Sequence, residues 1–148
     1  MRNNLLKTFG IFFLLSIIFI SCKKDKPAGK TDVLTGAWQE ASVNGSIGRR
    51  LIFKPDGLFT MEIWSSTAKT SEVNGTYKID GENLTVNISE SVEFNAAGNP
   101  TKRNVSYQLF EKGKFSITNT ILSIKYISYP ADAPVNTELK FGKIIAID

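Results

Sequence analysis

From Leu34 to the end of the chain, apolar and polar residues alternate in short runs, broken by turn-forming residues every 8 to 12 positions. Leu84, Val86 and Ile88 against Thr85, Asn87 and Ser89 form the cleanest such stretch, and Val92 and Phe94 extend it. Period two with β-branched and aromatic residues predicts strands with one buried and one wet face. Further strands are predicted over 34–43, 49–54, 58–64, 73–80, 105–109, 115–118, 121–129 and 139–147. Asn44-Gly45, Pro55-Asp56-Gly57 and Asp80-Gly81-Glu82-Asn83 supply turn chemistry between them. Loops are expected at 65–71 and 95–100, a reversal at Glu111-Lys112-Gly113-Lys114, and an irregular stretch over 129–137, which holds Pro130 and Pro134. No helical period competes. The expected fold class is all-β, an antiparallel up-and-down meander closing into a barrel of eight to ten strands. A two-sheet sandwich is the alternative.

The first 32 residues follow another pattern. Arg2 and Lys7 precede the twelve-residue apolar run Phe9–Ile20. That is too short for a bilayer, which takes ~20 apolar residues, and it matches the core of a secretory signal. The run ends in Ile18-Phe19-Ile20-Ser21-Cys22, which resembles the lipobox of bacterial lipoproteins, and Ser21-Cys22-Lys23-Lys24-Asp25 resembles their Bacteroidetes type. The resemblance implies a signal peptide over 1–21, with Cys22 acylated as the first residue of the mature chain and held in the outer membrane of the cell envelope. Residues 23–32 have a tether's composition of Lys, Pro and Gly. One domain is left, residues 33–148.

Charge adds less than it promises. The chain carries 18 Lys and Arg against 14 Asp and Glu, a formal +4. The excess lies wholly in the leader and tether, and residues 33–148 hold twelve bases and twelve acids. A nucleic-acid partner is therefore not expected. The absence of histidine removes the usual general base and imidazole metal ligands, and a single cysteine excludes an internal disulfide and a thiolate zinc cluster. Neither an enzyme nor a metal or other cofactor is expected.

Leu34-Thr35-Gly36-Ala37-Trp38, Leu51-Ile52-Phe53-Lys54-Pro55-Asp56-Gly57 and Gly75-Thr76-Tyr77-Lys78-Ile79-Asp80-Gly81-Glu82-Asn83-Leu84-Thr85, in that order, resemble the small lipocalin-like domains of Bacteroidetes lipoproteins. The resemblance implies a lipocalin-like barrel in which Gly36 opens the first strand by permitting close approach and Trp38 closes one end. In lipocalins an Arg of the last strand covers that Trp; here the last strand offers Lys140 and Lys143. The family's functions are diverse, so function rests on the site. Trp64, Tyr107 and Tyr126 are candidates to line a ligand cavity. Arg49-Arg50 is a candidate anion clamp, although adjacent strand residues face opposite ways. Glu90 and Glu93, three apart, also face opposite ways, which speaks against a carboxylate pair. The expected function is a monomeric, membrane-anchored, non-enzymatic lipoprotein binding a small apolar ligand; the alternative is an interaction or structural module with a filled barrel.

Overall fold

The computed structural model describes residues 33–41, 47–66 and 68–145, without the side chains of Ile47 and Asp132. The expected signal peptide, Cys22, the tether, the Asn44-Gly45 turn and the chain end after Ile145 lie outside the described residues. The described chain is built of nine strands: β1 (Gly36–Glu40), β2 (Ile47–Phe53), β3 (Leu58–Ser65), β4 (Ala68–Asp80), β5 (Asn83–Phe94), β6 (Pro100–Gln108), β7 (Glu111–Thr118), β8 (Ile121–Ser128) and β9 (Val135–Lys143). A short 3-10 turn, Pro130–Asp132, joins β8 to β9.

All ladders are antiparallel. They run in the order β4-β3-β2-β1-β9-β8-β7-β5-β6, and a further pairing of β4 with β5 joins the ends. Eight strands thus form a closed ring, β1-β2-β3-β4-β5-β7-β8-β9, and β6 is an extra strand outside it. The ring excludes the two-sheet alternative. Leu84, Val86 and Ile88 point inward and are at most 2% exposed. They meet Trp38, Leu51, Phe53, Phe59, Met61, Tyr77, Phe110, Leu122, Ile124 and Phe141 in a single core cluster. An eight-stranded ring encloses about the volume that side chains can fill, and here aromatic rings fill much of it. Phe53 packs edge-on to Tyr77 at 5.0 Å and tilted to Phe59 at 5.1 Å.

The connections depart from expectation in three places. The loop expected at 65–71 is tight: Ser66 takes a positive φ of 56° and β4 starts at Ala68. The irregular stretch expected over 129–137 shrinks to the 3-10 turn, because β9 begins at Val135 with full pairing to β8. The third difference changes the topology. The chain does not reverse at 111–114, because β6 and β7 lie end to end along the same edge of β5. Gln108 pairs with Asn87, the Leu109 amide donates to the Val86 carbonyl at 2.9 Å, and Lys114 pairs with Asn83. A bulge between Glu111 and Lys114, with Lys112 at φ 50°, makes the jog.

β4 and β5 are the longest strands, at 13 and 12 residues, and their ladder is bulged between Asn74 and Gly75. There the two backbones come so close that a Cβ on Gly75 would lie 2.0 Å from the Asn87 carbonyl oxygen. Gly75→Ala is expected to cost about 3 kcal/mol, as an overpacked site does. Gly142→Ala, where a Cβ meets open space, is the control and should stay within about 0.5 kcal/mol of the parent. Urea midpoints measure both, and equal midpoints would refute the close approach.

Candidate functional site

The two ends of the ring differ in chemistry. The chain enters at the end formed by Gly36, Phe53, Leu58, Asp80, Asn83, Thr118, Ile121 and Lys143, where Trp38 is 1% exposed and donates from Nε1 to the Leu34 carbonyl at 2.8 Å. Trp38 and Lys143 are register partners, and the Lys143 ammonium stands 5.4 Å from the centre of the indole, within cation–π range. Lysine therefore covers the tryptophan, and this end is shut. Gly36 acts differently from the expected close approach: a Cβ there would meet only Lys143 Cε at an ordinary 3.7 Å, and the demand is its positive φ of 123°.

At the opposite end an ion pair faces inward. Arg49 is the register partner of Ile63, on the core side, and its guanidinium grips Glu40 through Nε at 2.8 Å and through Nη2, while its amide donates to the same carboxylate at 3.2 Å. The hydrogen bond Arg49 donates to Glu40 raises the Arg49 pKa; burial works against it, and the Tyr126 phenol adds to the rise. Such a fork-to-carboxylate pair is among the stronger polar contacts. It engages Arg49 through Nε and Nη2, the edge a bidentate anion would use, so this residue is not an empty anion clamp.

Arg50 points out of the ring, as alternation requires, and begins a polar ladder on the outer surface. Its guanidinium lies 5.3 Å over the Trp64 ring and 3.5 Å from Glu62. Trp64 donates from its own Nε1 to Glu62 at 3.1 Å. Trp64 therefore belongs to the outer face and does not line the interior. Glu62 and Glu72 are direct cross-strand partners, a like-charge arrangement that destabilises a sheet unless compensated. Lys69 compensates it, reaching Glu72 at 2.6 Å and Glu62 at 3.6 Å. Asn74 continues the ladder to Glu90, and Lys102 pairs with Glu90 at 3.2 Å. Glu90 and Glu93 do face opposite ways, Glu90 beside Asn74 and Glu93 beside Ser71.

Tyr107 stands on β6, outside the ring, and is 45% exposed; partial burial raises the pKa of its phenol. Its strand is the reason it cannot line the interior. Tyr126 packs against the core, edge-on to Phe110 at 5.2 Å. It also borders a cavity of about 440 Å³ on β7, β8 and β9, shared with Lys112, Lys114, Lys125, Ile127, Asn136, Thr137 and Glu138. Lys114, Lys125 and Glu138 form one cross-strand row on the outer face. The Glu138 pKa is lowered by the Ser123 hydroxyl first and by Lys125 and Lys140 next. The cavity is open; its lining combines Lys112, Lys114 and Lys125 with the carboxylate of Glu138, and Tyr126 and Thr137 reach it from the core-side row, so its lysines can hold an anion by point charges. Among the described residues no group of three or more His, Cys, Asp or Glu is placed to hold a metal ion. Sequence reasoning missed the Arg49–Glu40 pair, the Lys69 bridge and this lysine row, because each depends on cross-strand register.

Compared with protein-family models, with curated proteins and with solved structures, the chain matches none of them.

The ladder carries a pH signature. Burial pushes the Glu72 carboxyl up, but Lys69, Asn74 and Lys102 outweigh it and hold it below the ordinary value near 4.5. A carboxyl lowered on folding stabilises above its unfolded value, and that stability is lost as pH falls through the lower folded value. Glu72→Gln should therefore be less stable than the parent at neutral pH, and the gap in urea midpoint should close in acid below about pH 4. A gap independent of pH would show that the Lys69 contact contributes nothing.

Proposed function

We propose that the chain is a lipid-anchored, non-enzymatic protein of the cell envelope whose barrel, lipocalin-like in its Gly36 and Trp38 opening, serves as a filled interaction module. The observation that carries this reading is the interior. One continuous cluster that includes Trp38, Phe53, Phe59, Tyr77, Phe110 and Phe141 occupies it, so recognition falls to the outer surface. Lys143 over Trp38, in the position a lipocalin gives to arginine, supports the lipocalin-like part. Exposed aromatic groups on that surface, Tyr107 on β6 and Tyr129 beside the 3-10 turn, suit a protein partner. Acylation of Cys22 supplies the anchor: each buried methylene adds about 0.8 kcal/mol, and two or three chains hold a protein on a bilayer. The open cavity of about 440 Å³ favours a second reading, since Tyr126 and Ile127 give it apolar wall and a small amphiphile with an acidic head would fit beside the lysines.

Three measurements test these statements. Cys22→Ala should leave the precursor uncleaved and free of fatty-acid label, and normal labelling would remove the anchor. Native mass spectrometry of the purified protein should show the bare chain, whereas a bound lipid or metabolite would favour the second reading. A partner recovered from envelope extracts should be lost with Tyr107→Ser plus Tyr129→Ser while the urea midpoint is kept.

A further inference from the structure

The exposed apolar residues are not spread evenly over the barrel. Val33, Leu58, Ile121, Ile144 and Ile145 lie at the end where the chain enters β1, with Leu58 on β3 and the other four around β8, β9 and β1, while Tyr107, Tyr129 and Val135 lie elsewhere; Ile145 is 70% exposed. Those four are neighbours by register. The Ile144 amide donates to the Ala37 carbonyl at 2.8 Å, Ala37 pairs with Ile52, and Ile121 pairs with Gly142. Val33 stands just before β1. The outcome is an apolar edge across β8, β9 and β1, outside the ring and continuous with half-buried Ala37 and Ile52.

Charge is graded around this edge. Higher on the outer face of the same side stand Lys140, Lys125 and Lys114, with Glu138 the acid among them. At about 3.3 Å per residue, Lys140 is ~7 Å and Lys125 ~13 Å above the apolar rim. The β4–β5 turn, across the ring, carries Asp80 and Glu82 after Lys78, and the β2–β3 turn, nearer the edge, carries Asp56 after Lys54. β9 and β4 sit opposite one another in the eight-membered ring, so Asp80 and Glu82 lie across it from the apolar edge, whereas Asp56 lies nearer, in the turn after β2.

We propose that this edge docks on an anionic lipid surface, with Val33, Ile121, Ile144 and Ile145 at the acyl boundary and Lys114, Lys125 and Lys140 at the level of the headgroups. Apolar side chains below and lysines above is the arrangement by which a surface element lies in a membrane interface. The location of the chain's entry selects a bilayer over other occupants. Val33 follows Cys22 by eleven positions, and the ten residues between span at most ~35 Å. The docking rests on the anchoring read at Cys22: with the acyl chains inserted, this end of the barrel stays near the headgroups, and a weak apolar contact becomes effectively intramolecular.

The test uses the full chain, expressed in its host, with Ile121→Cys, Ile145→Cys or, at the opposite end, Val135→Cys carrying an environment-sensitive dye. Each protein is reconstituted into phosphatidylethanolamine and phosphatidylglycerol vesicles that contain doxyl-labelled lipid. The mass of the Cys22 peptide reads acylation separately. Docking predicts strong quenching at 121 and 145 and at least about tenfold less at 135. Ile144→Asp should reduce quenching at 121 and 145 without moving the urea midpoint. An acylated chain with equal, weak quenching at all three sites overturns the docking and leaves the anchor standing. A chain without acylation overturns the anchor, and quenching at 145 above that at 135 with added vesicles still supports the docking. Cross-linking between two chains at 145, without lipid quenching, assigns the edge to a second copy and overturns the proposal.

Discussion

The width of an eight-stranded ring is the constraint from which the rest of this structure follows. Such a ring has room either for inward side chains or for one small ligand, and here large apolar groups directed inward take that room. Phe53, Phe59, Tyr77, Phe110 and Phe141 do this from five different strands or their ends. Once the interior is committed to packing, polar groups have two places to go. One is the outer surface, where Arg50, Glu62, Lys69, Glu72 and Asn74 form a connected ladder. The other is the end away from the chain's entry, where Arg49 and Glu40 neutralise one another under Tyr126. Among the described residues no buried side-chain nitrogen or oxygen lacks a partner, as a packed interior demands.

Closure depends on one strand. β5 pairs with β4 along nearly its whole length on one side. On the other side it is shared by β6 and β7, which follow one another along the same edge. The seam between β5 and β7 is narrow, Asn83 with Lys114 and the Phe115 amide to the Glu82 carbonyl at 2.9 Å. Phe110, 2% exposed, plugs the core beside it. The upper part of β5 extends past the seam, and β6 pairs with that extension. β6 therefore has one free edge among the described strands. Pro100, Lys102 and Arg103 occupy it, residues that discourage pairing with a passing strand.

How much of this could be read beforehand follows from what each residue depends on. Leu84, Val86 and Ile88 reveal their strand and its inner face because alternation is local. Opposite orientation of Arg49 and Arg50 was legible for the same reason. Trp64 was not: in Leu58–Trp64 both faces carry apolar residues, and only the pairing of Arg50 with Glu62 shows which face is wet. The Ser- and Thr-rich stretch 65–71 suggested a loop by composition, yet β3 and β5 satisfy the backbone of β4 from both sides and draw it into strand. The glycine of Glu111–Lys114 suggested a hairpin because bulges and turns use the same residues. Only the pairing of both flanks with β5 distinguishes a jog from a reversal.

A filled barrel that still has a job must do it with surface, and this surface is polarised along the barrel axis. The entry end is shut by Trp38 and Lys143 and bordered by Ile121, Ile144 and Ile145. The other end bears the Arg49–Glu40 pair, Tyr129 and the β5–β6 extension. A domain free in solution gains nothing from an exposed isoleucine pair beside its first strand. In the proposed docking, a domain held within a tether's length of a bilayer would gain an orientation from it, because the apolar edge of β8, β9 and β1 would face the lipid and Asp80 and Glu82, in the β4–β5 turn across the ring, would face away. That orientation would turn β3, β4 and β5, with the Trp64 and Lys69 ladder, away from the lipid. On the proposed reading, anchor, apolar edge and polar ladder would form one arrangement, in which the part of the surface richest in specific polar geometry would be the part left free for recognition.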